Sequence, residues 1–358
     1  MLAVRLNYIA TLILLTPIAL TAQSAGLISG TVVGSVGQQP LPYSTVSLEG
    51  VTQKRLTSPE GRFSFRVDSA GSYRLRIRQL GFAPLDTVVA FDGTSLQLTL
   101  VLRPVAFRLS DVRTVSGTPC SQRDDRDAFA SGILEEVKKN AERELVLRNQ
   151  YPFRYLLARG HATRRVNEGR YLTFRDTVAH TSGTTDRYQV GKIVRDRGPG
   201  NPSGREMRVP QLVDLADSVF LNSHCFSYGG TKRLGKRSVF QLDFTPARTL
   251  MTPDVEGSIS IDTVGYTVQE AVFRLTNPEF VYPPILGLEV RTTYREIVPG
   301  LWLFDLISST QPLPMTRVYD SQQFAVEMQK LIRLDFLRDA PSGISEFAIP
   351  LVKQEKDR

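Results

Sequence analysis

Histidine, cysteine and tryptophan are scarce in this chain. Its 358 residues include three His, two Cys and one Trp. A zinc hydrolase needs two neutral imidazoles and a carboxylate converging on one ion, with His and Glu at short spacing and a distant His. The three His lie in Gly160-His161-Ala162-Thr163-Arg164, Ala179-His180-Thr181-Ser182-Gly183 and Ser223-His224-Cys225-Phe226, and none has an acid at ligand spacing. No metal site is therefore expected. Glycine-rich phosphate loops are missing too. Gly235-Lys236-Arg237-Ser238 lacks the upstream glycine loop of a P-loop, and no dinucleotide fingerprint occurs. Cys225-Phe226-Ser227-Tyr228-Gly229 lacks the first Gly of a nucleophile elbow and the alternation of strand and helix that would present one. No catalytic and no cofactor-binding residue is expected from these counts.

Long apolar runs are absent after Leu20, which excludes a multi-span membrane protein. With 41% hydrophobic and 22% charged residues the chain is not disordered either. Its length suggests about two domains. The net charge of +8 is spread rather than blocked, densest at Arg195-Asp196-Arg197, Lys232-Arg233 and Lys236-Arg237. Such a surface does not suggest nucleic acid. It can be simply solvated, or it can attract anionic lipid or polysaccharide.

What is present begins with a basic start, Met1 to Arg5, and an apolar run at 8–20 broken by Pro17. Ala22-Gln23-Ser24 follows as a cleavage site. Residues 1–24 thus read as a secretory signal peptide. The alternative, a spanning helix, needs ~20 apolar residues without such a break. No Cys follows the run, so a lipid-modified N-terminus is not expected. The mature chain is expected to be exported, to the periplasm, the outer-membrane surface or the exterior, with no transmembrane segment. In that oxidising setting Cys120 and Cys225 are expected to form a disulfide. The rival reading makes Cys225 a nucleophile activated by His224. It is weakened if the segment is extended, because neighbours on a strand face opposite sides.

Residues 26–104 alternate in period two between dense Gly and Pro turns. The apolar sides of 62–67 (Phe63, Phe65) and 73–78 (Tyr73, Leu75, Ile77) are clear, with Arg74, Arg76 and Arg78 on the wet face. Asp124-Asp125-Arg126-Asp127 opens a helix over 123–150. Phe129, Ile133, Val137, Ala141 and Leu145 form one apolar stripe, and Glu135, Glu136, Lys138, Lys139, Glu142 and Arg143 cover the rest. The acids fit helix capping better than a calcium loop, because the Gly and the final Glu of an EF-hand are misplaced. Residues 105–122 are a linker.

Residues 151–353 read as a long antiparallel meander or half-barrel. Strands are expected at 153–161, 170–178, 188–195, 238–244, 257–262, 267–276, 286–297, 302–311 and 324–336. Hairpin turns are expected at Gly265 and Pro299-Gly300, a loop at 198–204, and a short helix or turn at 212–220. The fold class is mainly β: a seven-strand sandwich, one amphipathic helix and a larger antiparallel domain.

The run Gly30-Thr31-Val32, Pro42-Tyr43-Ser44-Thr45-Val46-Ser47-Leu48, Thr57-Ser58-Pro59-Glu60-Gly61-Arg62-Phe63, Gly71-Ser72-Tyr73-Arg74-Leu75 and Gly81-Phe82 resembles the carboxypeptidase-regulatory-like domain. The resemblance implies a prealbumin-like sandwich that accompanies zinc carboxypeptidases without hydrolysing anything itself. The tail Leu109-Ser110-Asp111-Val112-Arg113-Thr114-Val115-Ser116-Gly117 is similar to the segment after this domain in TonB-dependent receptors, but no plug pattern follows. The rhythm of 257–276 is similar to curved sheets of lipoprotein-carrier-like proteins. The whole layout resembles secreted bacterial proteins in which Cys120 and His224-Cys225-Phe226 recur, and this implies no activity.

Two functional expectations follow. One is a non-enzymatic envelope binding or scaffold protein whose partner is an envelope protein, polysaccharide or lipid. The other is a carrier of a lipid or other hydrophobic ligand on the curved C-terminal sheet. The inward face of residues 257–311 discriminates: a packed face favours the scaffold, and an apolar trough of roughly 300–1,000 Å³ favours the carrier.

Overall fold

The computed structural model describes residues 26–105, 128–165, 174–182, 188–196, 205–207, 211–247, 252–281, 285–298, 300–313, 323–338 and 340. The signal segment, residues 106–127 with Cys120, and the loop at 198–204 lie outside them.

The first seven strands form the expected sandwich. β1 (Gly26–Gly34), β4 (Arg62–Val67) and β7 (Ser95–Leu102) make one sheet in the order β4-β1-β7. β2 (Thr45–Leu48), β3 (Arg55–Leu56), β5 (Gly71–Arg78) and β6 (Leu85–Phe91) make the other, in the order β3-β2-β5-β6. β1 runs parallel to β7 and antiparallel to β4. Period-two alternation sends Phe63, Phe65 and Val67 inward, where they meet Ile28, Val46, Leu75 and Ile77 of a closed core. Arg74 and Arg76 are exposed and pair with Glu49 and Asp86. Arg78 does not share that wet face fully; it is half-buried and reaches Glu142 of the following helix at 3.4 Å.

That helix, α1 (Ala128–Gln150), corrects one expectation. Phe129, Ile133, Val137 and Ala141 are buried as foreseen, but Leu145 is 42% exposed. An i, i+4 repeat gains ~40° of rotation per step over the true helical period, so by Leu145 the stripe has swung ~160° around the rod. Val146 and Leu147 take over the buried face. Part of the charged flank is not solvated either, although Glu135 stays exposed. Glu136, Lys139, Asn140, Arg143, Glu144 and Arg148 are all buried, because α1 lies between the sandwich and the second sheet.

Four of these buried groups anchor α1 to its neighbours. The Gly81 amide donates to Glu136 Oε2 at 2.9 Å. Lys139 Nζ donates to Glu136 Oε1 at 2.6 Å and to the Phe82 carbonyl at 2.7 Å. On the other side Asn140 Nδ2 donates to the Tyr266 carbonyl at 2.7 Å, and the Val268 amide donates to Asn140 Oδ1 at 3.2 Å. Arg143 Nη1 donates to the Gly300 carbonyl at 3.0 Å. Burial lowers the Arg143 guanidinium to about 10, so it remains a cation at neutral pH. Lys54 and Arg78 hold Glu142, and the Leu56 amide donates to Gln150 Oε1 at 2.7 Å.

The second sheet has nine strands, all antiparallel: β12 (His224–Leu234), β13 (Arg237–Pro246), β14 (Val255–Asp262), β15 (Val268–Leu275), β16 (Glu289–Val298), β17 (Leu301–Pro312), β18 (Gln323–Phe336), β8 (Phe153–Arg165) and β9 (Phe174–Thr181), in that spatial order. The expected simple meander is thus modified, because the first hairpin is attached beyond the last strand and β8 pairs with β18 along its whole length. Turns sit at Gly265 and Gly300 as expected. The expected strand at 188–195 is mostly not one. Val194–Asp196 (β10) pairs with Arg205–Met207 (β11) in a separate ribbon, and Tyr188 packs into the core.

The sheet curls strongly. The Arg237 guanidinium of β13 lies 4.9 Å from the ring centroid of Trp302 in β17. Four flat strand spacings would part those backbones by ~19 Å. Register shifts at Tyr228/Gly230, Ser260/Ile261, Thr293/Tyr294 and Leu331/Arg333 supply the extra twist. At Gly257 a Cβ would collide with the Val272 carbonyl, so glycine permits the close approach of β14 to β15.

Two outcomes test this account of α1. Lys139→Met should cost about 3–5 kcal/mol by leaving Glu136 as an uncompensated buried charge, and adding Glu136→Gln should recover most of the loss in urea melts. An unchanged melt for the single variant contradicts it. Burial also raises the Glu136 carboxyl above its ordinary value, against the pull of Lys139 and the Gly81 amide. A raised carboxyl favours the folded state below the unfolded value and loses that contribution as pH climbs through the folded one. Glu136→Gln should therefore gain on wild type as the pH rises above about 4, whereas a gap that is flat or moves the other way argues against a burial-raised carboxyl.

Candidate functional site

The concave face of the curled sheet is filled in one half and open in the other. Over β13 to β15, Leu242, Phe244, Ile259, Ile261, Ala271 and Phe273 pack against α1, a 3-10 turn at Leu212–Ala216 and helix α2 (Ser218–Ser223). Further along, between the C-terminal end of α1 and strands β8, β9, β16, β17 and β18, lies a cavity of about 530 Å³. The packed half fits the scaffold expectation, and the open half has the volume set for a carrier.

The cavity has a graded lining. Its floor holds buried Leu157, Leu212 and Phe304, together with Glu144 and Arg148. Its walls carry Tyr155, Tyr294 and Ile307, each partly exposed. Its mouth is polar, with exposed His180, Thr181 and Gln211. Tyr155 and His180 stack at 5.2 Å, and Tyr155 meets Phe304 edge-on at 5.3 Å.

Glu144 and Arg148 stand one helical turn apart and so face the same way. Arg148 donates to Glu144 Oε1 through Nε at 3.1 Å and also through Nη2. Burial pulls the guanidinium down, but the Glu144 charge and hydrogen bonds outweigh it and hold Arg148 above its usual value. Glu144 Oε2 is buried without a hydrogen-bond partner. Burial, with the Glu144 charge behind it, raises the Tyr294 hydroxyl well above its ordinary range. Burial raises the Tyr155 hydroxyl as well. The site therefore offers neutral phenols, aromatic faces and one internally balanced ion pair. Such a lining suits binding rather than bond-breaking.

The histidines do not converge. His180 is at the mouth of the cavity, and His161 lies in β8 opposite Glu327 of β18. His224 is fully buried elsewhere. Its Nδ1 lies 2.9 Å from the Phe220 carbonyl oxygen and its Nε2 3.0 Å from that of Val255. Asp254 Oδ1 is 3.6 Å from Nε2, and the Tyr188 hydroxyl donates to Asp254 Oδ2 at 2.6 Å. The ring stacks on Phe220 at 4.0 Å. Sequence spacing could not reveal the Asp254 partner, which is thirty positions away, just before β14. Sealed from solvent, this cluster ties the end of α2 to the start of β14. Among the described residues no group of three or more His, Cys, Asp or Glu could hold a metal ion.

His224 and Cys225 open β12, so they face opposite sides of an extended strand, and the activation of one by the other loses its geometry. The elbow-like stretch Cys225-Phe226-Ser227-Tyr228-Gly229 is likewise part of β12, not a strand-to-helix turn. Cys225 is not a free thiol. Cys120 lies outside the described residues. A second concavity, about 610 Å³, runs between the sandwich and the end of α1, and its lining of Arg55, Arg62, Ser64, Gln97 and Gln150 is polar and open.

The sequence reading missed the cavity residues of α1, Glu144 and Arg148, because charged side chains at i, i+4 look like a solvated pair. Their burial depends on what covers them. The signal available was the overlong i, i+4 stripe, which predicts that the buried face rotates toward residues 144–148.

Residues 27–103 match the family model of the carboxypeptidase regulatory-like domain. No curated protein matches the chain. Among solved structures, a LolA superfamily protein from Nitrosomonas europaea is similar at 12% identity and a TM-score of 0.26, covering 59% of this chain and 94% of that one. A DUF1329 family protein from Desulfovibrio piger is similar at 9% identity and a TM-score of 0.28, covering 59% of this chain and 95% of that one. These scores are too low to bear on function. The match at 27–103 stands by itself: the chain carries a carboxypeptidase regulatory-like domain in its N-terminal sandwich.

Proposed function

We propose that this chain is an exported, non-enzymatic binding protein that holds an apolar or amphipathic small molecule in the cavity of its curled sheet. The observation that carries this reading is the cavity itself: about 530 Å³, lined by Tyr155, Tyr294, Phe304 and Ile307 among other side chains, with a polar mouth. That combination of volume, aromatic faces and convergent polar side chains suits a small molecule with both an apolar and a polar part. The regulatory-like sandwich serves as the docking module toward an envelope protein, polysaccharide or lipid. Export rests on the signal-like residues 1–24. No helix of the described residues is long and apolar enough to cross a membrane.

In the same reading Cys120 and Cys225 form a disulfide that pins the segment before α1 to the edge of the second sheet. The chain-entropy model gives such a loop of ~105 residues roughly 4–5 kcal/mol.

Two measurements check these points. N-phenyl-1-naphthylamine, a neutral apolar probe, should gain fluorescence with wild type and lose it with Ile307→Trp, which fills the cavity, while the melting temperature moves little. Wild type that neither enhances the probe nor carries co-purified lipid in native mass spectrometry defeats the binding reading. For the disulfide, the unreduced protein should lack titratable thiols, and Cys225→Ser should become more protease-sensitive around α1 with an intact sandwich. Two free thiols after oxidising purification remove the pairing.

A further inference from the structure

Glu144 carries a buried polar atom with no partner, and this gives the cavity a chemical preference. Its side chain is 5% exposed, and Oε2 accepts no hydrogen bond. The pairing with Arg148 is one-sided: both guanidinium contacts go to Oε1. A buried carboxylate oxygen left without a donor is costly, and a donor that reaches it recovers that cost. Two other polar side chains of the lining are engaged within the protein. Gln329 Nε2 donates to Glu327 Oε1 at 2.7 Å, and the Leu212 main chain bonds the Tyr294 hydroxyl. Arg148 is paired with the Glu144 carboxylate, so the floor carries no net positive charge. An anionic head would arrive beside a carboxylate whose own cation is already shared, in a medium where like charges repel strongly.

Resting on the small-molecule reading above, we propose that the cavity selects an amphipath whose polar end donates hydrogen, an alcohol or amine, and that this end meets Glu144 Oε2 at the floor while the apolar part lies along Tyr155, Phe304 and Ile307. Fatty acids and alkyl phosphates are rejected by the same carboxylate.

The test uses the full chain and displacement of N-phenyl-1-naphthylamine by four probes of equal chain length: dodecanol, dodecylamine, dodecanoate and dodecyl phosphate. Dodecanol and dodecylamine should each displace the dye at concentrations about tenfold or more below the two anions. Glu144→Gln, confirmed folded by its circular dichroism, removes the repelling charge and frees Arg148, and should bring the anions level with dodecanol. If Glu144→Gln does not fold, the wild-type order alone decides. Anions that bind as tightly as the alcohol overturn the donor preference and leave the binding site standing. Failure of all four to displace the dye, or failure of the dye itself to bind, overturns both.

Discussion

Backbone groups at three β-turns depend on one helix. The Gly81-Phe82 turn of the sandwich, the Tyr266–Val268 segment between β14 and β15, and the Gly300 turn between β16 and β17 all present amides or carbonyls that strand ladders do not use. α1 answers each with a side chain: Glu136 and Lys139 on the first, Asn140 on the second, Arg143 on the third. Every one of these side chains is polar and nearly closed to water. Apolar packing against α1 would tolerate sliding, whereas hydrogen bonds to fixed main-chain atoms do not. The mutual placement of the two β bodies therefore follows from the residue order Glu136, Lys139, Asn140, Arg143. Gly81 has a φ of +73°, and a Cβ there would press on the Tyr266 ring, so the turn that α1 grips also touches the second sheet directly.

The cavity is a by-product of two shapes. α1 is a rod of 23 residues, ~35 Å long. The sheet beneath it is curled tightly enough to bring Arg237 onto Trp302. A straight rod can follow a concave surface over part of its length and must leave it elsewhere. Contact is close where Ile133, Val137 and Ala141 meet Ile261, Val268 and Ala271. It opens toward Glu144 and Arg148, where larger aromatic side chains line rather than fill the space.

The sandwich was readable from the chain almost strand by strand. Alternations such as Arg62–Val67 carry their burial in their spelling, and the turns carry Gly and Pro. β13 to β18 were also visible as β-rich runs between turns, although β15 buries both of its faces. β12 was not. Gly229-Gly230 imitates a turn, while the strand in fact bulges there with Gly230 at φ +102°, and an edge strand with one neighbour has weak apolar alternation. Nor could α1's charges be placed. Glu136 and Lys139 follow the pattern of a solvated pair, and their burial is decided by turns that lie 55 and 57 residues upstream. The same is true of the candidate site, whose lining comes from residues between Glu144 and Gln329. Local spelling records which face is apolar, but not which polar face a distant segment will cover.

The pairing of β8 with β18 has a consequence for how this molecule comes to be. Phe153 lies against Phe336, so the earliest strand of the second sheet waits for the latest. The sandwich closes within residues 26–102, as soon as β7 joins β1. The cavity walls instead straddle that late seam, with Leu157 on one strand and Gln329 on its neighbour. Loop closure over such a separation is slow, and until it happens β8 and β9 form an orphan hairpin with open edges. The cavity is thus the last part of the molecule to exist, assembled after the sandwich is already folded.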